Sequence, residues 1–571
     1  MIEIKSVSFR YGKGAMVLEH LNLQLKPGSI YGLLGENGVG KTTLLKMMAG
    51  LLFPNEGQIR VLGFEPRRRE AAFLQQVYFL PDSPQVEEIS LDNYVKLNAC
   101  LYPNFSEADL RRYVAVLEVD SSRAMHKLSF GQQKKAMLAF ALACNTPVLL
   151  MDEPTNGLDI PSKGQLRRLI ASAATDDKCF VISTHQVRDL EQLIDPIVIM
   201  ERQRVLLNNS MEEIGQRLWF GVAAEKPANC LYAEPALGGM YVVTPRTDDM
   251  PDSKVQLEAL FNAAIANRGY FQETFGQGRA WKSRSAALSE TGAMTAEAVA
   301  EAAGLPSNPQ AAGRQAAPCI SPLKRFLYAL RAEIFAKYKT YFLTLGVIFG
   351  LYMWRWISYL MSSAGFADDT VYGGWTVAVI FMILAPYMLY RDLYHPVKGF
   401  SFMMRPTGNL EKFGTIWVQS VIVMPVVLLL WCGLLDGIMS LLIHHSLVGP
   451  NVLRGGLDML FDDMRLSKLG GLTVISFGMF FGPQSSVLWG TCFFKQHKLL
   501  KLIATYFGLI TLFSIAVFHL ANLWPWGWSL FANLDEQAAE CWLKTLMYAG
   551  TIIPCLGLYV WSYFSFKRRQ L

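Results

Sequence analysis

The pattern of apolar and polar positions changes character twice along the chain. Residues 2–9 and 16–25 alternate, with Ile2 and Ile4 and then Leu21, Leu23 and Leu25 on one side, which predicts two half-buried strands. Residues 30–34 are a short unbroken apolar run that enters a glycine-rich turn, and the spacing is then helical from Lys41 to Gly50, where glycine supplies a stop. Residues 86–143 read as mainly helical, and residues 148–151 and 179–183 as two more buried strands. Strands alternating with helices predict an α/β domain over residues 1–210: a mainly parallel sheet with both faces covered, and a helical subdomain.

Residues 211–281 form a less regular accessory unit, with a strand near 240–243 and an amphipathic helix near 255–267. Residues 282–321 are rich in Ala, Gly, Ser and Pro, a linker composition that is either flexible or partly helical. Residues 322–340 set Lys324, Arg325, Arg331, Lys337 and Lys339 against Leu323, Phe326, Leu327, Leu330 and Ile334 at helical spacing, which predicts an interfacial amphipathic helix.

From residue 341 to 571 long apolar runs dominate. Six of them (341–361, 374–390, 414–436, 470–491, 501–522 and 543–565) approach or exceed the roughly 18 residues that predict a transmembrane helix, giving an all-α transmembrane domain after the α/β domain. Arg391, Lys398, Arg405 and Lys412 lie between the second and third runs, Lys495, Lys498 and Lys501 between the fourth and the body of the fifth, and Lys567, Arg568 and Arg569 after the sixth. The connections after the first and fifth carry Asp368, Asp369, Asp535, Glu536 and Glu540 instead. Positive residues stay on the cytoplasmic side, so both termini and the α/β domain are expected there, in a plasma or bacterial inner membrane surrounded by lipid. Arg355 inside the first run is either a functional intramembrane charge or a snorkelling anchor beside Trp354 and Trp356.

Composition adds little to this division. The 571 residues are 52% apolar, with the excess in the C-terminal part, and the net charge of +6 sits beside apolar segments rather than in a basic stripe, so no nucleic-acid partner is expected. Nine cysteines with no CxxC pair read as reduced structural thiols. Met1 to Arg10 lacks the apolar core of a signal peptide, so insertion is expected to use the internal spans.

Two clusters carry chemistry. Gly35-Glu36-Asn37-Gly38-Val39-Gly40-Lys41-Thr42 matches the phosphate-binding loop GxxxxGK[ST] between a strand and a helix. Its glycines let backbone N–H groups wrap phosphate oxygens at a helix N-terminus, Lys41 meets the β- and γ-phosphates, and Thr42 offers a hydroxyl to Mg²⁺. The strand 148–151 ends in Asp152 and Glu153, which places an acid on the Mg²⁺ side and a general base for the attacking water beside that loop.

With these in place the first 205 or so residues resemble the ATPases of the ABC transporter family, since further elements follow in order. Leu128-Ser129-Phe130-Gly131-Gln132 resembles the LSGGQ signature, with Phe130 in place of a glycine. Asn156-Gly157-Leu158-Asp159 matches the D-loop, and Ile182-Ser183-Thr184-His185 the switch histidine. The resemblance implies that ATP and Mg²⁺ are bound by Gly35, Asn37, Gly38, Gly40, Lys41, Thr42 and Thr43, with Tyr11 stacking on adenine. Ser129 and Gly131 would act from the opposite subunit, and Gln132 and Asp159 complete the nucleotide-binding set. Glu153, His185 and Lys41 would be catalytic, and Thr42, Asp152 and Asp82 the metal side. Asp82 stands where the family has the Q-loop glutamine, and its shorter reach alters that element. Because the signature works across an interface, the resemblance implies a second copy, or a related half-transporter, as partner. An ATPase domain ahead of six spans resembles half-transporters of the G-type and bacterial ABC-2-like exporters, which implies export of an amphipathic, lipidic or peptidic substrate. A membrane-embedded ATPase that transmits force without solute flux is the alternative. Residues 391–413 are the expected coupling element on the ATPase.

Overall fold

The computed structural model describes residues 1–12, 14–84, 86–247, 249–275, 321–361, 373–394, 399–443, 483–494, 501 and 553–568. Two compact units result: Met1–Tyr328 with Phe400–Gly408, and Ala329–Gly399 with Asn409–Arg569.

In the first unit the alternating segments are β1 (Ile2–Arg10) and β2 (Met16–Leu25), antiparallel neighbours as their half-buried patterns predict. With β4 (Glu56–Val61) on the other side of β1 they make a three-stranded sheet, while β3 (Ser29–Leu34) belongs to a second sheet. That sheet also contains β5 (Val77–Leu80), β6 (Val148–Asp152), β7 (Cys179–Thr184), β8 (Ile197–Glu201) and β9 (Arg204–Asn209), in the order β5-β6-β7-β3-β8-β9. All pairings are parallel except β8 with β9. Every residue of β5, β6, β7 and β8 is buried, the result of covering a parallel sheet on both faces. Parallel strands bring their C-terminal ends to one edge, so the segments after Leu34, Leu80, Asp152 and Thr184 converge there.

Helix boundaries follow local chemistry. Lys41–Met48 starts after Gly40, which takes φ +107°, and Gly50 at φ +72° lets the chain turn away. Ser129 caps Phe130–Ala143, whose residues from Lys134 to Ala143 are all buried, and Asp159 caps Ile160–Ala173.

The accessory segment begins with Met211–Arg217, closed by a reciprocal capping box between Ser210 and Glu213. It continues through β10 (Leu218–Ala223), β11 (Tyr232–Ala236) and β12 (Gly239–Pro245), antiparallel in the order β10-β12-β11. Helices Leu257–Ala266 and Arg268–Phe275 follow. Leu257, Leu260, Phe271 and Phe275 join the same buried cluster as Ile197, Ile199, Leu206 and Leu207 of the parallel sheet, so the accessory elements extend one core across residue 210. Of the expected linker 282–321, only residue 321 is described.

The short helix Phe400–Met404 also belongs to the first unit. The ring of Phe400 lies 5.6 Å from that of Phe79 at an edge-on angle, and the Arg405 guanidinium is 3.8 Å from the Glu87 carboxylate. The part of the expected coupling element that is placed here thus packs against the end of β5.

Pro322–Ala336 leads into the second unit and is followed by Tyr338–Met361 and Gly373–Tyr390. Asn409–Val418 runs through a π-helical turn, Gln419–Val423, into Met424–Ile443. Residues 483–493 and 553–568 are helical as well. Among the described residues one helix, Asn409–Leu435, is long and apolar enough to cross a membrane, with mean hydropathy 2.3 over its best window. A second candidate exists only if Pro322–Ala336 and Tyr338–Trp354, bent by 54° at their junction, count as one span. The expected span at 374–390 is a shorter apolar helix, those at 470–491 and 543–565 are described in part, and 501–522 lies outside the described residues apart from Lys501. The Arg355 side chain also lies outside them.

Candidate functional site

The convergent edge of the parallel sheet carries the site. The loop after β3 needs glycine at two points where the backbone is left-handed, Gly38 at φ +86° and Gly40 at φ +107°. At Gly35 the need is space: a Cβ there would stand 2.7 Å from the Met200 carbonyl oxygen. Asn37 occupies the exposed turn between Gly35 and Gly38. Helix Lys41–Met48 then presents the free N–H groups of its first turn to this loop. The Lys41 side chain is buried and its ammonium donates to the carbonyls of Gly35 at 2.6 Å and Glu36 at 3.0 Å. Burial pushes its pKa down, and the charges of Glu153 and Asp152 oppose that shift.

Thr42 Oγ1 donates to Asp152 Oδ2 at 2.8 Å, and Ser183 Oγ donates to Asp152 Oδ1 at 2.5 Å. Asp152 is 4% exposed, so these two hydroxyls carry much of its solvation. The next residue, Glu153, has φ +48°, a left-handed conformation that a side chain with a Cβ rarely adopts. Its N–H donates to the Ser183 carbonyl at 3.1 Å, and its carboxylate lies 2.8 Å from His185 Nδ1. Thus Lys41, Thr42, Asp152, Glu153 and His185, read from three separate segments, stand together.

Tyr11 is half exposed; its hydroxyl is 3.0 Å from Thr43 Oγ1 and its ring lies edge-on to Phe9. An exposed aromatic face tethered to the helix that follows the phosphate loop suits a flat base.

The signature segment stands apart from this group. Ser129 is exposed and accepts the Gln132 N–H at 3.3 Å as a helix cap, and no contact among the described residues joins Ser129, Gly131 or Gln132 to Lys41 or Thr42. The Gln132 Oε1 atom is buried with no partner. Phe130, the departure from the glycine pattern, lays its ring over Gly157, where a Cβ would meet it at 2.7 Å. Asp159 caps its helix by accepting the Ser162 N–H at 3.0 Å, and that hydrogen bonding holds its carboxyl below the usual range.

Asp82, expected on the metal side, spends Oδ1 on two other partners: Lys134 Nζ at 3.1 Å and Asn156 Nδ2 at 3.1 Å. Sequence reading missed Lys134, which looks like one more helix lysine but is 1% exposed, and Ser183, which looks like a strand residue but supports Asp152. The signal for Ser183 was its place opposite Asp152 in the β6–β7 register.

ATP fits these residues on local grounds. The left-handed glycines open the loop, the helix N-terminus supplies unpaired donors, and Lys41 supplies positive charge. Mg²⁺ is compatible with the hard oxygen pair of Thr42 and Asp152.

A family model described as "ABC transporter" matches residues 18–156. An ABC transporter ATP-binding protein of Caldanaerobacter subterraneus is 32% identical, over 38% of this chain and 93% of that one. The bacitracin transport ATP-binding protein of Bacillus licheniformis is 29% identical over 38% of this chain and 72% of its own length. The Nod factor export ATP-binding protein I of Burkholderia orbicola is 32% identical over 36% and 68%. A solved ATP-binding subunit of an ABC transporter has 27% identity, covering 37% of this chain and 91% of that one, with a TM-score of 0.35.

Proposed function

This chain belongs to the ABC transporter ATP-binding proteins, whose ATP hydrolysis is coupled to transport, and on that premise we propose that it is a half-transporter that exports its substrate. The observation that carries the proposal is that a hydrolytic site and a helix of 27 residues able to cross a membrane occur in one chain. The six apolar runs and their positive flanks support a permease of six spans over residues 341–571, with the 1–210 ATPase and both termini cytoplasmic.

In this reading ATP lies on the loop from Gly35 to Thr43, its base against Tyr11. Lys41 leaves the carbonyls of Gly35 and Glu36 for the triphosphate, while Thr42 and Asp152 hold Mg²⁺, which when bound screens the phosphate charge. Glu153 orients and deprotonates the attacking water. Its bond to His185 lets the imidazole share the proton and touch the γ-phosphate side. Ser129, Gly131 and Gln132, exposed or half-exposed and remote from their own phosphate loop, complete the site of a second copy, and Asp159 lies at the same interface. Closure of two ATPase domains on two ATP then drives the membrane helices through Phe400–Gly408, the segment packed on β5.

One relative carries export of Nod factor in its name, which supports outward movement, and another carries transport of bacitracin; the substrate here is read as amphipathic, lipidic or peptidic. A second reading, force transmission without flux, rests on the same ATPase. Inverted vesicles carrying the wild type should accumulate an exported amphiphile in an ATP-dependent manner, and vesicles carrying Glu153→Gln should not. Robust hydrolysis with no accumulation across a broad substrate panel would transfer the case to the second reading.

A further inference from the structure

The Lys134 ammonium has three N–H bonds to give and three oxygens around it: Glu153 O at 2.6 Å, Asn156 O at 3.0 Å and Asp82 Oδ1 at 3.1 Å. The side chain is 1% exposed, a position that an ammonium occupies only when its bonds are met. Two of the acceptors are the main-chain carbonyls at either end of Glu153–Asn156, the turn that leaves β6. The third belongs to the loop that leaves β5, and Asn156 also donates its side-chain amide to that same Asp82 oxygen.

The turn needs holding. Glu153 sits at φ +48°, and a non-glycine residue keeps such a backbone only where neighbours fix it from both sides. On its N–H side the Ser183 carbonyl accepts at 3.1 Å, and on its carbonyl side Lys134 donates the shortest of its three bonds. The direction of the Glu153 carboxylate, 2.8 Å from His185, depends on that peptide plane.

We infer that Lys134 is a positioning residue for hydrolysis: it clamps the main chain of Glu153 and Asn156 so that the Glu153 carboxylate faces the attacking water, and Asp82 orients the clamp. The clamp rests on the reading of Glu153 as the base. It gives Asp82 a role in holding Lys134 in place of a direct role on the metal. The ring of Phe130 lies 5.8 Å from the ammonium, close enough to shield it, so the departures at 82 and 130 fall on the same buried cation.

The test is steady-state ATP hydrolysis by the purified full chain with Mg²⁺, comparing wild type, Lys134→Met, Asp82→Asn, the double variant and Glu153→Gln. Loss of the clamp should lower kcat by about 10- to 100-fold in Lys134→Met with KM for ATP unchanged within about threefold, because the damage is to geometry at the reacting atom. Asp82→Asn should show a smaller fall of the same kind, and the double variant should be no worse than Lys134→Met. A rise in KM at unchanged kcat, or multiplicative losses in the double variant, overturns the inference. If Glu153→Gln keeps wild-type turnover, the base reading falls. If Glu153→Gln is dead while Lys134→Met is fully active, only the clamp falls. Should Lys134→Met not fold, Lys134→Gln, whose amide keeps two of the three donors without the charge, is judged by the same split between kcat and KM.

Discussion

Replacing Ser183 with alanine tests how Asp152 is kept charged inside the sheet. Ser183 is fully buried, its hydroxyl donates to Asp152 Oδ1 at 2.5 Å, and it also accepts the Glu153 N–H at 3.2 Å. Asp152 then keeps the Thr42 bond at 2.8 Å, and the Glu153 N–H keeps the Ser183 main-chain carbonyl, so the uncompensated loss is one hydrogen bond to a buried carboxylate. Such bonds contribute about 1.5–3 kcal/mol. With a urea slope of about 1–3 kcal/mol/M the unfolding midpoint of the first unit should fall by roughly 0.5–3 M. Pulse proteolysis along a urea series, scored on fragments of residues 1–275, isolates that unit from the helices of the second. Adding Asp152→Asn removes the charge that needed the hydroxyl, so the double variant should lose less than the sum of the singles. A Ser183→Ala midpoint indistinguishable from wild type, or strict additivity, would show that Asp152 does not depend on Ser183.

Two further outcomes follow from the same core. Burial pushes the Cys179 thiol up to about 12 from an ordinary 9.0, so at pH 8 its native thiolate fraction should be about 10³-fold below that of the unfolded chain, read as slow iodoacetamide labelling by mass spectrometry. The folded state favours the protonated thiol, so this contribution to stability is intact below pH 9 and is lost as pH rises from 9 towards 12; fast native labelling at pH 8 would contradict it. Gly157→Ala should cost about 1–2 kcal/mol for a left-handed non-glycine residue, with extra strain because its Cβ meets the Phe130 ring, and Phe130→Ala should relieve the second part but not the first in thermal melts.

The sequence was most informative where chemistry is local. Alternation fixed β1 and β2, unbroken apolar runs fixed β3, β6 and β7, and one contiguous motif gave the phosphate loop with its glycines and Lys41. Lys134 could not be read, because its role exists only where the loops after β5 and β6 meet helix Phe130–Ala143; its neighbours along the chain say nothing of Asp82 or Asn156. Phe130 read only as a departure from the glycine of the signature, whereas the ring has a seat on Gly157, a glycine whose missing side chain makes the room. The helix at 255–267 was visible from its spacing, but not that its apolar face closes the core of the parallel sheet. In the second unit hydropathy located helices, and within the described residues Asn409–Leu435 is the one long and apolar enough to cross a membrane.

The most direct measurement is complementation between two inactive chains. Lys41→Ala and Ser129→Arg, each expected to be inactive alone, are co-expressed and their ATP hydrolysis is measured after purification in detergent. If each ATP is gripped by Lys41 of one copy and closed over by Ser129 of the other, mixed dimers contain one site with both defects and one with neither. Equal mixing then restores about a quarter of the wild-type sites, since half the dimers are mixed and half their sites are intact. Hydrolysis no greater than that of either variant alone, in a preparation where mixed dimers are shown by tag pull-down, would mean that each chain builds its site by itself.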